Sequence, residues 1–441
     1  MRDVLVVNAH LIRDRSTLVT NGWMHVSDGK IAALGSGPAP QVEGTEIIDV
    51  QGAFVAPGFV STHSHLFTSA SRGLGASEYL YGWATAMYAP TARCTPEQMY
   101  WHTLHGALDV LANGVTTLFD FNDPRRPWAP MVQGRRQELP PLRPFEFGTA
   151  QLDAKVASGL RTISAIQLES ENDDPEKAFE DWAATVEYLR GQDRSLALDA
   201  AVYGAVQWAP NPAVAELEVR AMGEYSVLNQ AHFLETPEHV ELQQSKFAWY
   251  ADAGALGPQM IFGHFVQTTP AIVEAVADSG AAVSWQPVAN GRLGSGFADV
   301  VGLRKAGVRV GIGIDDQACT DLSDPWQAMR FGLFGTRAHQ QDPTVLTPAD
   351  VFAMATQDAA DVLGVGDRVG SLDVGKFADF VVVDPRDPDI GPVRDPLASY
   401  VLAMSLRNLR SVYVGGRPVA HGSRSTHPLA DECRRRIHAL A

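Results

Sequence analysis

Pro57-Gly58-Phe59-Val60-Ser61-Thr62-His63-Ser64-His65 decides how the rest of the chain is read. Pro-Gly opens it as a turn or strand entry. Phe59-Val60 follows as a short apolar run, and then two histidines stand two residues apart. In a strand, residues i and i+2 point to the same face. His63 and His65 therefore aim at one point, as two metal ligands would. A His-x-His pair alone is equally a pair of surface histidines, because a metal site needs further ligands of the right type.

Outward from this stretch, residues 57–366 alternate strand-like apolar runs with helical stretches. The runs are 59–65, 114–119, 161–166, 196–202, 226–228, 260–262, 281–284 and 308–312. Helical stretches such as 97–112 and 269–279 separate most of them. Eight strand–helix steps over roughly 300 residues is the count of a (β/α)8 barrel, whose catalytic groups sit at the C-terminal ends of the strands. Those ends carry further metal-type side chains. His232-Phe233-Leu234-Glu235 follows the fifth run, His264 the sixth and Asp315-Asp316 the eighth. Each alone has a structural reading, but four strand ends bearing such residues are hard to explain separately. Neighbours on a strand end point oppositely, which leaves Asp316 out of the set. His102, His105, His239 and His339 fall in helical stretches and read as structural.

Both ends of the chain read as β module. Residues 1–56 hold short runs such as Val4-Leu5-Val6-Val7 and Trp23-Met24-His25-Val26, the latter leading into the turn Ser27-Asp28-Gly29-Lys30. Residues 367–441 return to strands around 380–384 and 411–419, then end in a basic helical tail with Arg434-Arg435-Arg436. The expected fold class is α/β. A (β/α)8 TIM-like barrel over 57–366 joins a small β-sandwich module made from 1–56 and 367–441, the latter with a terminal helix. One segment breaks the rhythm. After the second run, 120–147 is rich in proline and carries Arg125, Arg126, Arg135 and Arg136. It reads either as a solvated loop stiffened by proline or as a lid on the site's rim.

The totals bound the possibilities. At 441 residues the chain suits one large barrel plus a smaller module. A net charge of −16 disfavours nucleic acid and anionic membrane as partners. No uncharged apolar run reaches the roughly 18 residues of a membrane span. Cys94, Cys319 and Cys433 are far apart, odd in number and outside any metal spacing. They suit a reducing cytoplasm rather than a disulfide framework. The opening Met1-Arg2-Asp3-Val4-Leu5 has no signal pattern.

With these residues in place, the chain resembles the amidohydrolase superfamily, in its cytosine deaminase-like and chlorohydrolase-like branch. The likeness runs nearly end to end. It is carried by Pro57–His65, by Arg72-Gly73-Leu74 with Trp83, and by His232-x-x-Glu235. Pro287–Asn290 with Leu293-Gly294-Ser295-Gly296, Gly311-x-Gly313-x-Asp315, and Gly370-Ser371-Leu372 through Ala378-Asp379 complete it. Two pocket loops depart from the pattern. Ala289 stands where relatives usually carry serine, and Gln207-Trp208-Ala209-Pro210 stands where many carry histidine. The motifs therefore specify the superfamily far better than any one substrate.

The resemblance implies a mononuclear site. His63, His65, His232 and Asp315 would hold one Zn²⁺ per chain, with Fe²⁺ as the alternative. Binuclear relatives carry a lysine on the fourth strand, and 195–206 contains none. The metal would lower the pKa of water toward about 7. Glu235 would shuttle the proton, His264 would hold the water or the developing oxygen, and Asp315 would also accept a proton. Phe67, Trp83, Tyr88, Trp208 and Asn290 are candidates for binding a flat ring. The implied reaction is hydrolytic deamination of an amino-substituted N-heterocycle such as a purine, pyrimidine, pterin or triazine. Hydrolytic dehalogenation, cyclic amide hydrolysis and a non-catalytic relative are the alternatives. The expected partners are a small heterocyclic substrate and water, in a cytoplasmic homo-oligomer such as a homodimer.

Overall fold

A computed structural model describes residues 3–132, 135–136, 139–170, 174–386 and 390–440. The chain forms two compact units. One comprises Met1–Thr62, Leu108–Thr117 and Ser323–Ala430, the other His63–Ala107, Leu118–Leu322 and Asp431–Ala441.

The first unit contains a nine-stranded sheet built from both ends of the chain. Strand Phe54–Pro57 pairs antiparallel with Phe380–Val383, in the register Val55 to Val382. Val6, Leu11, Met24, Val26, Ile31, Val55, Phe380 and Val382 bury one apolar layer. Phe380 and Tyr413 stack within it at 4.4 Å. The turn at Ser27–Lys30 closes the hairpin between Leu18–Ser27 and Lys30–Ser36. Asp28 and Gly29 both have positive φ there, as a tight two-residue hairpin turn requires.

The eight-stranded parallel sheet is the barrel. In chain order its strands are Phe59–Ser61, Val115–Phe121, Arg161–Gln167, Ala197–Gly204, Leu228–Phe233, Met260–His264, Ala282–Trp285 and Arg309–Ile312, and each pairs with its sequence neighbours. A parallel bridge between Ser64 and Asp315 joins the first strand's continuation to the last. These are the eight runs anticipated above, with shifted ends. The first strand stops at Ser61, so His63 and His65 follow it rather than lie in it, and the fifth and sixth extend further, so His232 and His264 lie inside them rather than after them. The strands are buried along their length and rich in Val, Ile, Phe and Ala, as strands covered on both faces should be. Helices open where Asp or Thr precedes Pro: Thr269 caps Pro270–Ser279, and Asp174 caps Pro175–Arg190.

The proline-rich segment is anchored. Arg143 pairs with Asp123 at 3.0 Å and lies 3.6 Å above the Phe147 ring. Arg125 pairs with Asp181 at 3.1 Å, and Arg126 donates to the Pro140 carbonyl at 2.6 Å. Met131–Val132 and Arg135–Arg136 form a short antiparallel ribbon. No helix among the described residues is long and apolar enough to cross a membrane.

Helix Pro96–Ala112 reaches the turn that follows His65 through Gly106, where an added Cβ would overlap the Leu66 carbonyl oxygen. Gly106→Ala should therefore destabilise the fold by about 1–3 kcal/mol, the usual cost of overpacking. Urea denaturation measures it; a shift below about 0.5 kcal/mol would show that the helix moves aside freely.

Candidate active site

The barrel's first strand ends at Ser61, and two residues later the chain delivers His63, then His65. His232 comes from the fifth strand and His264 from the sixth. Asp315 follows the eighth, its backbone N–H donating to the His63 carbonyl at 3.1 Å. Three imidazole Nε2 atoms converge. Those of His63 and His232 are 3.1 Å apart, His65 and His63 3.2 Å, and His65 and His232 2.9 Å. Asp315 Oδ1 lies 3.7 Å from His63 Nε2 and 3.9 Å from His65 Nε2, and Oδ2 lies 3.9 Å from His264 Nε2.

Backbone shape makes this convergence possible. Leu234, His264, Phe265 and Asp315 all have φ between 54° and 64°, in the left-handed region that non-glycine residues rarely adopt. The strain sits at the ends of the fifth, sixth and eighth strands, where each chain turns sharply inward. Glycine supplies the remaining room. A Cβ on Gly313 would stand 2.6 Å from His63 Cβ, and one on Gly263 would stand 3.2 Å from the His63 ring. The glycine at 313 in the Gly311-x-Gly313-x-Asp315 pattern is thus a packing requirement of the first histidine.

Electrostatics fit a cation and little else. Burial holds the pKa values of His63, His65 and His232 well below the ordinary imidazole value, with neighbouring imidazoles adding to the effect. Burial likewise lowers His264 to about 4. The rings are therefore neutral at pH 7. Gln230 Oε1 sits 2.6 Å from His63 Nδ1, and Asn290 Oδ1 sits 2.8 Å from His264 Nδ1. Each amide oxygen draws the ring proton to Nδ1 and leaves the Nε2 lone pair facing the cluster. Converging lone pairs repel one another unless a positive centre lies between them. His63, His232 and His264 form one such group, and His63, His65 and Asp315 another, with each group's ligand atoms within 4.8 Å of one another. Neutral imidazoles plus a carboxylate suit a divalent transition metal.

Glu235 lies beside the cluster, with Oε1 3.5 Å from His264 Nδ1. Burial, with a smaller contribution from the charge of Asp316, raises its pKa to about 8. Asp316 is displaced to about 7 by burial. It lines the cleft, although strand alternation turned it away. Alternation fails because Asp315 has a φ of 60° and is no longer in a strand. Asp316 Oδ1 accepts from the N–H groups of Ala318 and Cys319, both at 2.7 Å.

The cleft opens to solvent. Of the five expected ring contacts, Trp83, Tyr88 and Trp208 line it. Phe67 and Asn290 do not: Phe67 stacks behind Tyr88 at 5.6 Å, and Asn290 is occupied with His264. Trp128, unforeseen in the sequence, stacks on Tyr88 at 5.4 Å and 6° and lines the cleft with Tyr203. It is the one tryptophan of the proline-rich segment, and that isolation was the available signal. Arg126 and Arg136 from the same segment also line the cleft, whereas Arg125 does not. The Arg135 side chain lies outside the described residues.

A profile of the amidohydrolase family matches residues 54–419. A 5-methylthioadenosine/S-adenosylhomocysteine deaminase of Bacillus cereus (strain AH820) is 28% identical over 425 residues, covering 94% of this chain and 93% of that protein. The fold is also that of a Xanthomonas campestris adenosine deaminase with bound zinc, at a TM-score of 0.82 and 21% identity over 100% of this chain and 98% of that one. An atrazine chlorohydrolase from Arthrobacter aurescens complexed with zinc gives 0.83 and 19% over 99% of each chain. With that profile spanning every strand of the barrel and every residue of the histidine cluster, the chain belongs to the amidohydrolase family.

Proposed function

We propose that this protein is a metal-dependent hydrolase that deaminates an amino-substituted N-heterocycle. One observation carries the reading: a buried acid of raised pKa, Glu235, stands beside converging neutral imidazoles. The deaminase relative supports an adenosine-type ring as the first substrate to try. His63, His65, His232 and Asp315 would hold one Zn²⁺, or Fe²⁺, per chain. Such a cation, when bound, supplies Lewis acidity that makes water a nucleophile near pH 7.

The chain's own residues do the rest. Glu235 holds its proton at neutral pH because its pocket disfavours the charged form. It gives that proton to the ring nitrogen as water adds its oxygen to the amine-bearing carbon, and the carboxylate so formed takes up the proton the water sheds. It hands this proton to the leaving nitrogen, the C–N bond breaks and ammonia departs, while the new carbonyl oxygen gives its remaining proton to Asp315, from which it returns to Glu235. An amine leaves only when protonated, and this need sets deamination above loss of halide. His264 and Asp315 border the reacting carbon, the former orienting the oxygen and the latter able to accept its proton. Trp83, Tyr88, Trp128 and Trp208 offer aromatic faces to the ring. Arg126 and Arg136 favour a substrate that also bears an anionic group.

Further proposals rest on the sequence. The catalytic barrel spans 57–366, with 1–56 and 367–441 as the flanking module. The protein works in the cytoplasm, which its three free thiols support, and assembles as a homo-oligomer, for which light scattering is the test.

Purified protein should carry about one zinc or iron per chain and release ammonia from 5-methylthioadenosine. A chelator should abolish turnover and added zinc restore it; two metals per chain would contradict the mononuclear site. Glu235→Gln should keep the metal and lose activity by about 10²–10⁴-fold, whereas near-parental turnover would assign the proton transfers elsewhere. Arg126→Ala and Arg136→Ala, measured separately, should raise KM for an anionic substrate at unchanged metal content. Parental KM in both would point to a neutral ring.

A further inference from the structure

Lys155 is a fully buried lysine outside the proposed chemistry. It stands on helix Phe145–Ser158 and is 1% exposed. Its ammonium has three protons, and the protein offers three acceptors. These are the Asp120 carboxylate, Asn122 Oδ1 at 2.5 Å and Ser164 Oγ at 3.1 Å. Asp120 and Asn122 flank Phe121 at the C-terminal end of the second barrel strand.

Phe121 is where this anchorage meets the histidines. Its ring stacks on His65 at 4.9 Å and 18°, and lies 4.6 Å from both His63 and His232. The backbone is tied as well. The Phe121 N–H donates to the Ser64 carbonyl at 2.9 Å, and Asp120 Oδ1 accepts from the Leu66 N–H at 2.8 Å. The residues on either side of His65 are therefore hydrogen-bonded to a strand end that Lys155 grips from behind.

Burying an ion pair costs several kcal/mol per charge before any return, and an apolar side chain would fill the same space. What the ammonium adds is position. It fixes two flanking side chains at once, and so fixes the ring between them.

We propose that Lys155 is a positioning residue for the cation site, acting through Asp120, Asn122 and Phe121 to hold His63, His65 and His232 in register. This rests on the reading that those histidines bind a divalent cation. Outer groups that orient ligands typically contribute 10–100-fold to metal affinity.

The test is zinc affinity of the folded protein by chelator competition, on the full chain. Lys155→Met should weaken zinc binding by about 10–100-fold. Phe121→Leu removes the ring, leaves the ion pair intact and should weaken binding in the same direction. Should Lys155→Met fail to fold, Phe121→Leu decides on the same criterion. Glu218→Gln is the control. Glu218 is as buried, and accepts from Ala205 N–H, Asn229 and Tyr250 away from the histidines. It should lower the melting temperature and leave zinc affinity within about twofold of the parent. A parent that binds zinc while Lys155→Met and Phe121→Leu bind it equally well overturns the inference alone. A parent with no zinc affinity overturns the site reading and the inference with it.

Discussion

Three imidazole nitrogens within 3.2 Å of one another, all neutral and all buried, form the constraint on which the site depends. Lone pairs at that spacing repel. Burial keeps the rings from carrying charge of their own. A shared positive centre turns the repulsion between their lone pairs into attraction. The rest of the barrel's upper end serves that arrangement. Left-handed backbone at His264 and Asp315 turns the side chains inward, and Gly263 and Gly313 yield the space that the His63 ring fills. The strain and the small residues would be liabilities anywhere else.

The charge distribution follows from the same requirement. Glu235, Asp315 and Asp316 crowd the floor of the cleft, and all three hold protons more tightly than exposed carboxylates do. A divalent cation would offset part of that charge and shift their balance. Two arginines of the proline-rich segment stand elsewhere on the cleft lining, in an otherwise acidic chain of net charge −16. Arg143 and Arg125 hold the segment in place, and Arg126, which also donates to the Pro140 carbonyl, lines the cleft with Arg136.

Much of this was legible in the sequence because it is periodic or punctuated. Eight apolar runs, most of them separated by helical stretches, mark the barrel, and metal-type residues at strand ends mark its working face. His63-x-His65 and His232-x-x-Glu235 are local patterns that a reader can see. What escaped reading depends on contacts between distant segments. Gln230 is 167 residues from His63, and nothing local shows that its amide sets that ring's tautomer. Phe121 reads as one more apolar strand residue until three histidines are placed around it. Asp316 was turned away by strand alternation, a rule that Asp315 breaks by leaving the strand conformation. Phe67 is aromatic and near the motif, but lies a layer behind the cleft.

The central claim is that these histidines and Asp315 hold one cation. Zinc-edge X-ray absorption of the metal-loaded protein tests it most directly. A single nitrogen and oxygen shell at about 2.0–2.2 Å with imidazole scattering is the predicted result. A sulfur shell near about 2.3 Å, or a second metal at about 3.5–4 Å, would contradict it.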